Sequence, residues 1–220
     1  MLRPPIRIPL AWRWAAEEAV LGTLACEEWD LAARGAHGLA ARIAALPGAE
    51  ALEIVPGVRS VLVRAREGEA LAAGPLLAMR EIEVAEDGES AGTEHRFAVA
   101  YGGAGGPDLA AVAAAAGLSG REAVALHAGA LYTVAFVGFS PGFPYLLGLP
   151  PALRLPRRQA PRPRVPAGSV AVAGPFAGIY PQATPGGWHL LGHAETALFD
   201  PRREPPALLA AGDRVRFVPA

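Results

Sequence analysis

Beyond Gly129, prolines and glycines interrupt the chain so often that short strands are favoured over helices. The sequence holds 22 prolines and 26 glycines, and a proline inside a helix removes a backbone donor and clashes with the preceding turn. Between these breaks lie five short apolar, β-prone stretches: Leu131–Val137, Ser169–Ala173, Trp188–Leu191, Ala197–Phe199 and Arg214–Val218. Many short strands joined by such turns predict a β-barrel or β-sandwich.

The first half of the chain mixes helix and strand patterns. Its predicted elements, in order, are strands around Ile8–Trp14 and Ala19–Thr23, a helix within Asp30–Leu46, a hairpin of Leu52–Val55 and Val58–Val63, a helix near Glu69–Met79 and a strand over residues 80–84. This order predicts an α+β sandwich with helices on one sheet face. The polar segment of residues 85–95 predicts a boundary between two domains, residues 1–91 and 92–220.

Charge and composition exclude several classes of function. The net charge of -1 gives no field that would steer the protein to nucleic acid or to an anionic membrane. All 20 positive charges are arginines, so the chain has no lysine for a Schiff base or a P-loop. Its single cysteine, Cys26, excludes an internal disulfide and suits a reducing cytoplasm. No apolar run approaches the ~18 residues of a membrane span, and the N-terminal arginines and prolines do not fit a signal peptide. We therefore expect a cytoplasmic protein.

Residues 138–142, Gly-Phe-Ser-Pro-Gly, match the G-x-S-x-G pattern of a hydrolase nucleophile elbow. In that architecture the serine lies on a strand-to-helix turn, and the next residue's N–H donates to the oxyanion. Here the next residue is Pro141, which has no N–H, and Pro144 further disfavours a helix. Because one lost oxyanion donor costs about 10²–10³ in rate, the sequence predicts that Ser140 is not a hydrolase nucleophile.

The same prolines make residues 140–145 a stiff, non-helical ribbon, because each fixes its own φ and biases the residue before it. The ribbon's aromatic residues, Phe139, Phe143 and Tyr145, form either a preorganised pocket wall or interface patch, or a plug that closes one end of a barrel. Five arginines follow between residues 154 and 164. They suit either carboxylates and phosphates or a solvated loop.

Two further motifs are ambiguous or weak. The stretch YGGAGGPDL, residues 101–109, lacks full G-x-G-x-x-G spacing and predicts a tight turn into a helix, although its N–H groups also suit an anion. His189 and His193 have i, i+4 spacing, but in an extended segment such residues lie ~13 Å apart. We therefore expect no metal site, while either histidine stays a candidate for acid–base work.

Five motifs in this order resemble the family of 5-oxoprolinase B subunits, also known as allophanate hydrolase subunit 1 or Kip-type kinase inhibitor. They are YGGAGGPDL, GFSPGFPYLLGLP, PRRQAPRPRVPAGSVAVAG, GIYPQATPGGWHLLG and LFDP…PALLAAGDRVRFVP, and they cover about residues 99–219. In the N-terminal half, IVPG at 54–57 also fits, whereas AEEAVLG replaces an expected Gly-Asp turn. The resemblance implies a ferredoxin-like domain over residues 1–91 and a cyclophilin-like β-barrel over residues 92–220.

The resemblance also implies a subunit that is inactive alone and that joins subunits A and C in a hetero-oligomer. Together they would hydrolyse 5-oxo-L-proline, a small polar substrate, to L-glutamate at the expense of ATP. Because the chain has no lysine, we do not expect ATP to bind here through a P-loop. Two alternatives stay open: an inhibitor of a histidine kinase, and a carboxyltransferase part for a urea- or amide-type substrate.

Matched onto the family's motifs, the chain has two catalytic candidates, His193 and Gln182. The substrate-binding candidates are Phe139, Phe143, Tyr145, Arg157, Arg162, Ser169, Tyr180, Thr184 and Trp188. Among these we expect one arginine to bind a carboxylate and the aromatic ribbon to form a hydrophobic wall. Tyr180, Gln182 and Thr184 would orient the substrate. No metal ligand is expected.

Overall fold

A computed structural model describes residues 5–85 and 92–220 and divides the chain into two units, residues 1–90 and 91–220. Most of the segment predicted as the boundary, residues 86–91, lies outside the described residues, so the predicted division after residue 91 stays a prediction. Strands predominate in both units. No helix in the described part of the chain is, by itself, long and apolar enough to cross a membrane.

The first unit is a five-stranded antiparallel sheet packed against one long helix. Its elements are β1 (Ile6–Ala16), β2 (Ala19–Leu24), α1 (Trp29–Ala44), β3 (Leu52–Pro56), β4 (Ser60–Ala65), α2 (Gly74–Leu77) and β5 (Glu81–Val84). The strands lie in the order β3-β4-β2-β1-β5. Alternate strand residues such as Ile8, Leu10 and Val63 share a buried core with Leu39 and Ile43 of α1.

Most predictions for this unit are confirmed, with one correction. The second helix spans only Gly74–Leu77, because Pro75 is tolerated in a first helical turn and prevents extension towards Glu69. The ferredoxin-like layout is not confirmed. A β-α-β-β-α-β unit has four strands, whereas here β1 forms a hairpin with β2 and lies between β2 and β5.

The second unit is a closed barrel whose seven strands lie in the order β10-β11-β8-β7-β14-β6-β13. The elements of this unit are β6 (Glu94–Tyr101), α3 (Leu109–Ala115), α4 (Gly120–Gly129), β7 (Tyr132–Val137), β8 (Pro144–Leu147), β9 (Arg162–Val165), β10 (Ser169–Ala173), β11 (Phe176–Ile179), β12 (Thr184–Gly186), β13 (His189–His193) and β14 (Arg214–Pro219). β14 runs parallel to β6, and the other barrel pairs are antiparallel. β9 and β12 form a separate two-stranded sheet. The predicted barrel is confirmed.

Two details of the barrel depart from the sequence patterns. Strands that contain prolines, namely β8, β9 and β12, were not predicted, because proline in a single sequence argues against a strand. The predicted strand Ala197–Phe199 is instead an isolated bridge between Phe199 and Ala207. The three-residue spacing of Ser119 and Glu122 predicts a capping box, and the structure confirms this box at the start of α4.

Candidate functional site

A cavity of about 230 Å³ in the second unit gathers six of the nine predicted binding residues. We call it the aromatic pocket. Its lining residues are Phe139, Phe143, Tyr145, Arg157, Pro161, Tyr180, Pro185, Gly186, Gly187 and Trp188. The rings come from the 139–145 ribbon, from the end of β11 and from the start of β13, so barrel closure assembles the walls from distant stretches of sequence.

The pocket wall is organised around Phe143, which is only 1% exposed. Its ring meets those of Phe139, Tyr145, Tyr180 and Trp188 edge to face, at centroid separations of 5.4, 5.2, 5.1 and 5.3 Å respectively. Edge-to-face contacts place the positive edge of one ring on the negative face of another and favour a fixed arrangement. The pocket therefore has a rigid apolar wall.

A tight turn between β7 and β8 delivers this wall. The N–H of Ser140 donates to the Gly138 carbonyl at 2.8 Å, and that of Phe143 donates to the Ser140 carbonyl at 3.0 Å. Gly142 adopts a φ of 77°, which favours glycine. The chain then continues into β8 rather than into a helix, so Ser140 does not lie on the strand-to-helix turn of a nucleophile elbow.

Phe139 lies at the mouth of the pocket in a strained conformation. Within residues 5–85 and 92–220 it is the one non-glycine residue with a positive φ, at 68°, and it is 61% exposed. The left-handed region costs an ordinary residue about 1–2 kcal/mol. Strain of this kind is often retained where a site needs a particular geometry. The exposed ring, held over Phe143, is thus available to a ligand or a partner.

We expect Phe139→Gly to be more stable than Phe139→Ala by about 1 kcal/mol, because only glycine relieves the backbone strain. Urea unfolding of both variants measures the difference. At Val218, an exposed residue of β14, the same pair of substitutions should give the opposite order, since glycine weakens an ordinary strand position. If the alanine and glycine variants at position 139 were equally stable, that result would contradict the backbone strain inferred for Phe139.

Arg157 supplies the positive charge of the aromatic pocket. Burial raises the pKa of the Tyr145 hydroxyl, and the charge of Arg157 and its hydrogen bond to that hydroxyl oppose the rise. Burial likewise raises the pKa of Tyr180, against a backbone hydrogen bond at Trp188 and the charge of Arg157. Both phenols therefore stay protonated near neutral pH. They offer hydrogen bonds to a ligand beside one guanidinium group.

Asp108, the residue before α3, holds the segment that carries Arg157 in place through hydrogen bonds. Asp108 is 6% exposed, and its Oδ1 accepts hydrogen bonds from Arg158 Nη1 at 3.0 Å and Arg162 Nη2 at 2.8 Å. Its Oδ2 accepts one from the Leu190 N–H at 2.7 Å. Burial alone would raise the pKa of this carboxyl, but the Arg162 and Leu190 hydrogen bonds and the two arginine charges hold it below its ordinary value.

The other predicted site residues lie outside the aromatic pocket's lining. Arg162 is engaged by Asp108, Thr184 is half-buried beside the pocket residue Pro185, and Gln182 is exposed in the preceding loop. Ser169 is buried and pairs with His193 across β10 and β13. His193 lines a different concavity, beside β6. Of the two expected carboxylate ligands, Arg157 is therefore the one in the pocket.

Sequence reasoning missed Asp108 as part of the site. The stretch YGGAGGPDL predicts only a tight turn into a helix at this point, but the Asp108 side chain does not cap α3 and bonds the two arginines instead. The available signal was an acidic residue directly before a helix in a chain with an arginine-rich loop. Nothing local to Asp108 indicated that the loop, some fifty residues away, would reach it.

Most of the chain resembles known proteins in sequence, and its fold resembles solved structures. Residues 10–209 match the family model described as carboxyltransferase domain, subdomain C and D. The chain is 50% identical over 184 residues to the 5-oxoprolinase B subunit of Escherichia coli O157:H7, covering 82% of this chain and 83% of that protein. It is 48% identical over 139 residues to the 5-oxoprolinase B subunit of Bacillus subtilis (strain 168), covering 63% of this chain and 58% of that protein.

Solved structures agree with this fold. The crystal structure of TTHA0988 superposes with a TM-score of 0.77 at 38% identity, covering 92% of this chain. The chain spans only 40% of that longer protein. The urea carboxylase of Kluyveromyces lactis is alike in fold, with a TM-score of 0.72 at 20% identity, covering 99% of this chain and 23% of the other.

Proposed function

The chain belongs to the family of 5-oxoprolinase B subunits, and on that premise we propose that it serves as the B subunit of an enzyme that hydrolyses 5-oxo-L-proline to L-glutamate with ATP. The observation that supports a substrate site on this chain is the aromatic pocket, which has Arg157 in its lining. Subunits A and C complete the enzyme. Tyr145, Tyr180 and Arg157 bind and orient the substrate against the rigid wall around Phe143.

The size and lining of the aromatic pocket support a small acidic substrate. About 230 Å³ suits a single small ring rather than a nucleotide. Arg157 pairs with the substrate carboxylate, since a guanidinium group matches a carboxylate with parallel hydrogen bonds. The protonated phenols of Tyr145 and Tyr180 donate to amide or carboxylate oxygens. The apolar rings cover the substrate's methylene groups.

The same lining supports a subunit that is inactive alone. The residues that line the aromatic pocket include no carboxylate, imidazole or thiol, and its two tyrosines are held protonated. Hydrolysis of an amide needs a base to activate water. We place that base on another subunit, or on a residue brought in when the complex forms. The predicted catalytic residues His193 and Gln182 do not line this pocket.

ATP is a poor fit to the aromatic pocket. A triphosphate requires several cationic groups or carboxylate-held Mg²⁺, whereas one arginine lines this cavity. We therefore place ATP on another subunit, and no step of our proposal for this chain passes through it. Here the chain's own residues hold the substrate and exclude water from its apolar face.

We expect Arg157→Ala to lower kcat/KM for 5-oxo-L-proline by about 10- to 100-fold, the loss of one charge-assisted hydrogen bond. The measurement is glutamate production by the chain mixed with subunits A and C and ATP. Arg164→Ala is the matched control, because Arg164 is exposed on the neighbouring strand β9 and does not line the aromatic pocket. A wild-type mixture that makes no glutamate would sink the proposed function. Unchanged turnover in Arg157→Ala would exclude Arg157 from substrate binding and leave the assignment as a B subunit standing.

A further inference from the structure

A second concavity of the barrel, about 530 Å³ in volume, runs along β6. We call it the edge groove. Most of its lining comes from residues 95–98 and 100 of β6 and from residues 193–196, at the end of β13 and just beyond, and Leu208 and Ala220 complete it. It is therefore bounded by two stretches of chain that are neighbours in the barrel, at the place where they separate.

The hydrogen bonds of β6 show which of its residues face this groove. The Ala220 N–H donates to the Val99 carbonyl at 3.0 Å on the β14 edge, and the Gly102 N–H donates to the Leu191 carbonyl at 2.9 Å on the β13 edge. In a strand, residues two apart direct their backbone groups to the same edge. Ala98 and Arg96 thus face the same edge as Gly102, towards β13.

β13 does not reach Ala98 and Arg96. In the described residues its pairing with β6 comprises only Gly192 with Tyr101 and His193 with Ala100. The next residue, Ala194, donates its N–H to the Gly168 carbonyl at 2.9 Å, so the chain turns away from β6. The backbone donors and acceptors of Ala98 and Arg96 therefore open onto the groove, and both residues are exposed.

We propose that the edge groove receives one extended segment of another subunit, which adds a strand to β6 along Arg96 and Ala98. The inference rests on the proposed function, because it takes the partner to be a subunit of the same complex. An unpaired strand edge is a ready template for another chain, and strand addition is a common mode of peptide recognition. The segment restores the ladder that β13 leaves unfinished.

The lining of the groove defines the inserted segment. Ala98 and Ala100 are small and outward-facing, so they leave room for apolar side chains of moderate size. The Arg96 side chain, 69% exposed although it contacts Glu94, favours an acidic residue beside it.

Amide hydrogen exchange tests this inference on the wild-type protein. We expect the Arg96 and Ala98 amides to exchange at least tenfold more slowly in the complex with subunits A and C than in the chain alone. The adjacent amides of Phe97 and Val99 face β14 in both states and are the internal control. Unchanged exchange at Arg96 and Ala98 in an assembled complex would overturn the inference and leave the proposed function standing.

Failure of the subunits to assemble at all would overturn both proposals, whereas unchanged exchange in an assembled complex overturns this inference alone, so the two kinds of failure are distinguishable. Protection of Arg96 and Ala98 that rises with the concentration of the chain alone would identify a second copy as the occupant and also overturn the inference.

Substitution in the groove gives a second test: Ala98→Arg should weaken assembly of the complex at least tenfold. Ala125→Arg, at an exposed position of α4, should leave assembly unchanged. The exchange experiment stands even if Ala98→Arg fails to fold.

Discussion

Replacing Asp108 by asparagine is expected to lower the free energy of unfolding at pH 7 by about 3 kcal/mol. This is the cost of leaving partly buried arginine charges without their carboxylate partner. The substitution leaves the side-chain shape almost unchanged but removes the negative charge that faces Arg158 and Arg162. We use the low end of the range for a broken buried pair, because the side chains of Arg158 and Arg162 are 34% and 22% exposed and keep some contact with water.

Urea unfolding of Asp108→Asn against wild type measures this loss. The matched control is Asp200→Asn, since Asp200 also accepts hydrogen bonds from an arginine, Arg202, but that arginine side chain is 88% exposed. A surface pair of this kind contributes little to stability, because water screens the two charges. Equal losses in the two variants would mean that the Asp108 cluster is no more than a surface ion pair.

The same substitution should also impair the aromatic pocket. Arg157 directly precedes Arg158, and the Asp108 carboxylate is the anchor that holds this segment against β13. We expect a raised KM for 5-oxo-L-proline in the reconstituted complex, with Asp108→Glu restoring part of it and Asp200→Asn unaffected. Asp108 is a positioning residue in this account, since it acts on the substrate through Arg157.

Acidification is expected to destabilise the barrel between about pH 6.5 and pH 3 through His127. This residue of α4 is completely buried, and burial lowers its pKa from 6.5 to about 3. Its Nδ1 lies 2.7 Å from the Tyr101 hydroxyl, and its ring stacks on Phe217 at 4.7 Å. In the described part of the chain its Nε2 has no hydrogen-bond partner, so a proton there would be unsupported.

The sign follows from proton linkage. In the unfolded chain His127 binds a proton near pH 6.5, whereas in the folded barrel it resists protonation until about pH 3. The stabilisation is therefore complete above pH 6.5 and is lost as the pH falls, by up to about 1.4 kcal/mol per pH unit. Below pH 3 this residue contributes no further change.

Urea unfolding at intervals between pH 7 and pH 4 should reveal this slope, and His127→Gln should remove it. The comparison is between slopes, because the glutamine variant also loses packing against Phe217. His189→Gln is the control, since His189 is half-buried on β13 and bonds the Pro156 carbonyl near the surface. A slope that survives in His127→Gln would place the acid sensitivity in other groups.

Much of the fold was predictable because it depends on local backbone chemistry. Proline and glycine spacing indicated the strand-rich second half, and Pro141 alone was enough to exclude a nucleophile elbow at Ser140. The capping box of Ser119 and Glu122 depends on two residues three apart and was predicted correctly. The missed strands β8, β9 and β12 contain prolines, whose place in a sheet depends on which edge their missing N–H faces.

The candidate site was predictable only in part. The stiffness of the 139–145 ribbon follows from its prolines, and its role as a wall depends on Tyr180 and Trp188, which motif resemblance indicated and barrel closure brings to Phe143. Neither Gln182 nor His193 lines the aromatic pocket. Their catalytic roles stay predictions. Spacing along the chain did not reveal that His193 borders a separate groove.

The sequence by itself determined where this chain bends, where it extends and which aromatic groups one rigid segment carries, because steric limits on φ and on backbone donors act between adjacent residues. Tertiary structure alone decided which arginine is left for a ligand: Asp108 bonds Arg158 and Arg162 across 50 and 54 residues. It also decided that β13 leaves β6 before the ladder is complete. Such pairings depend on strand register and on burial of charge, which exist only once distant segments have packed together.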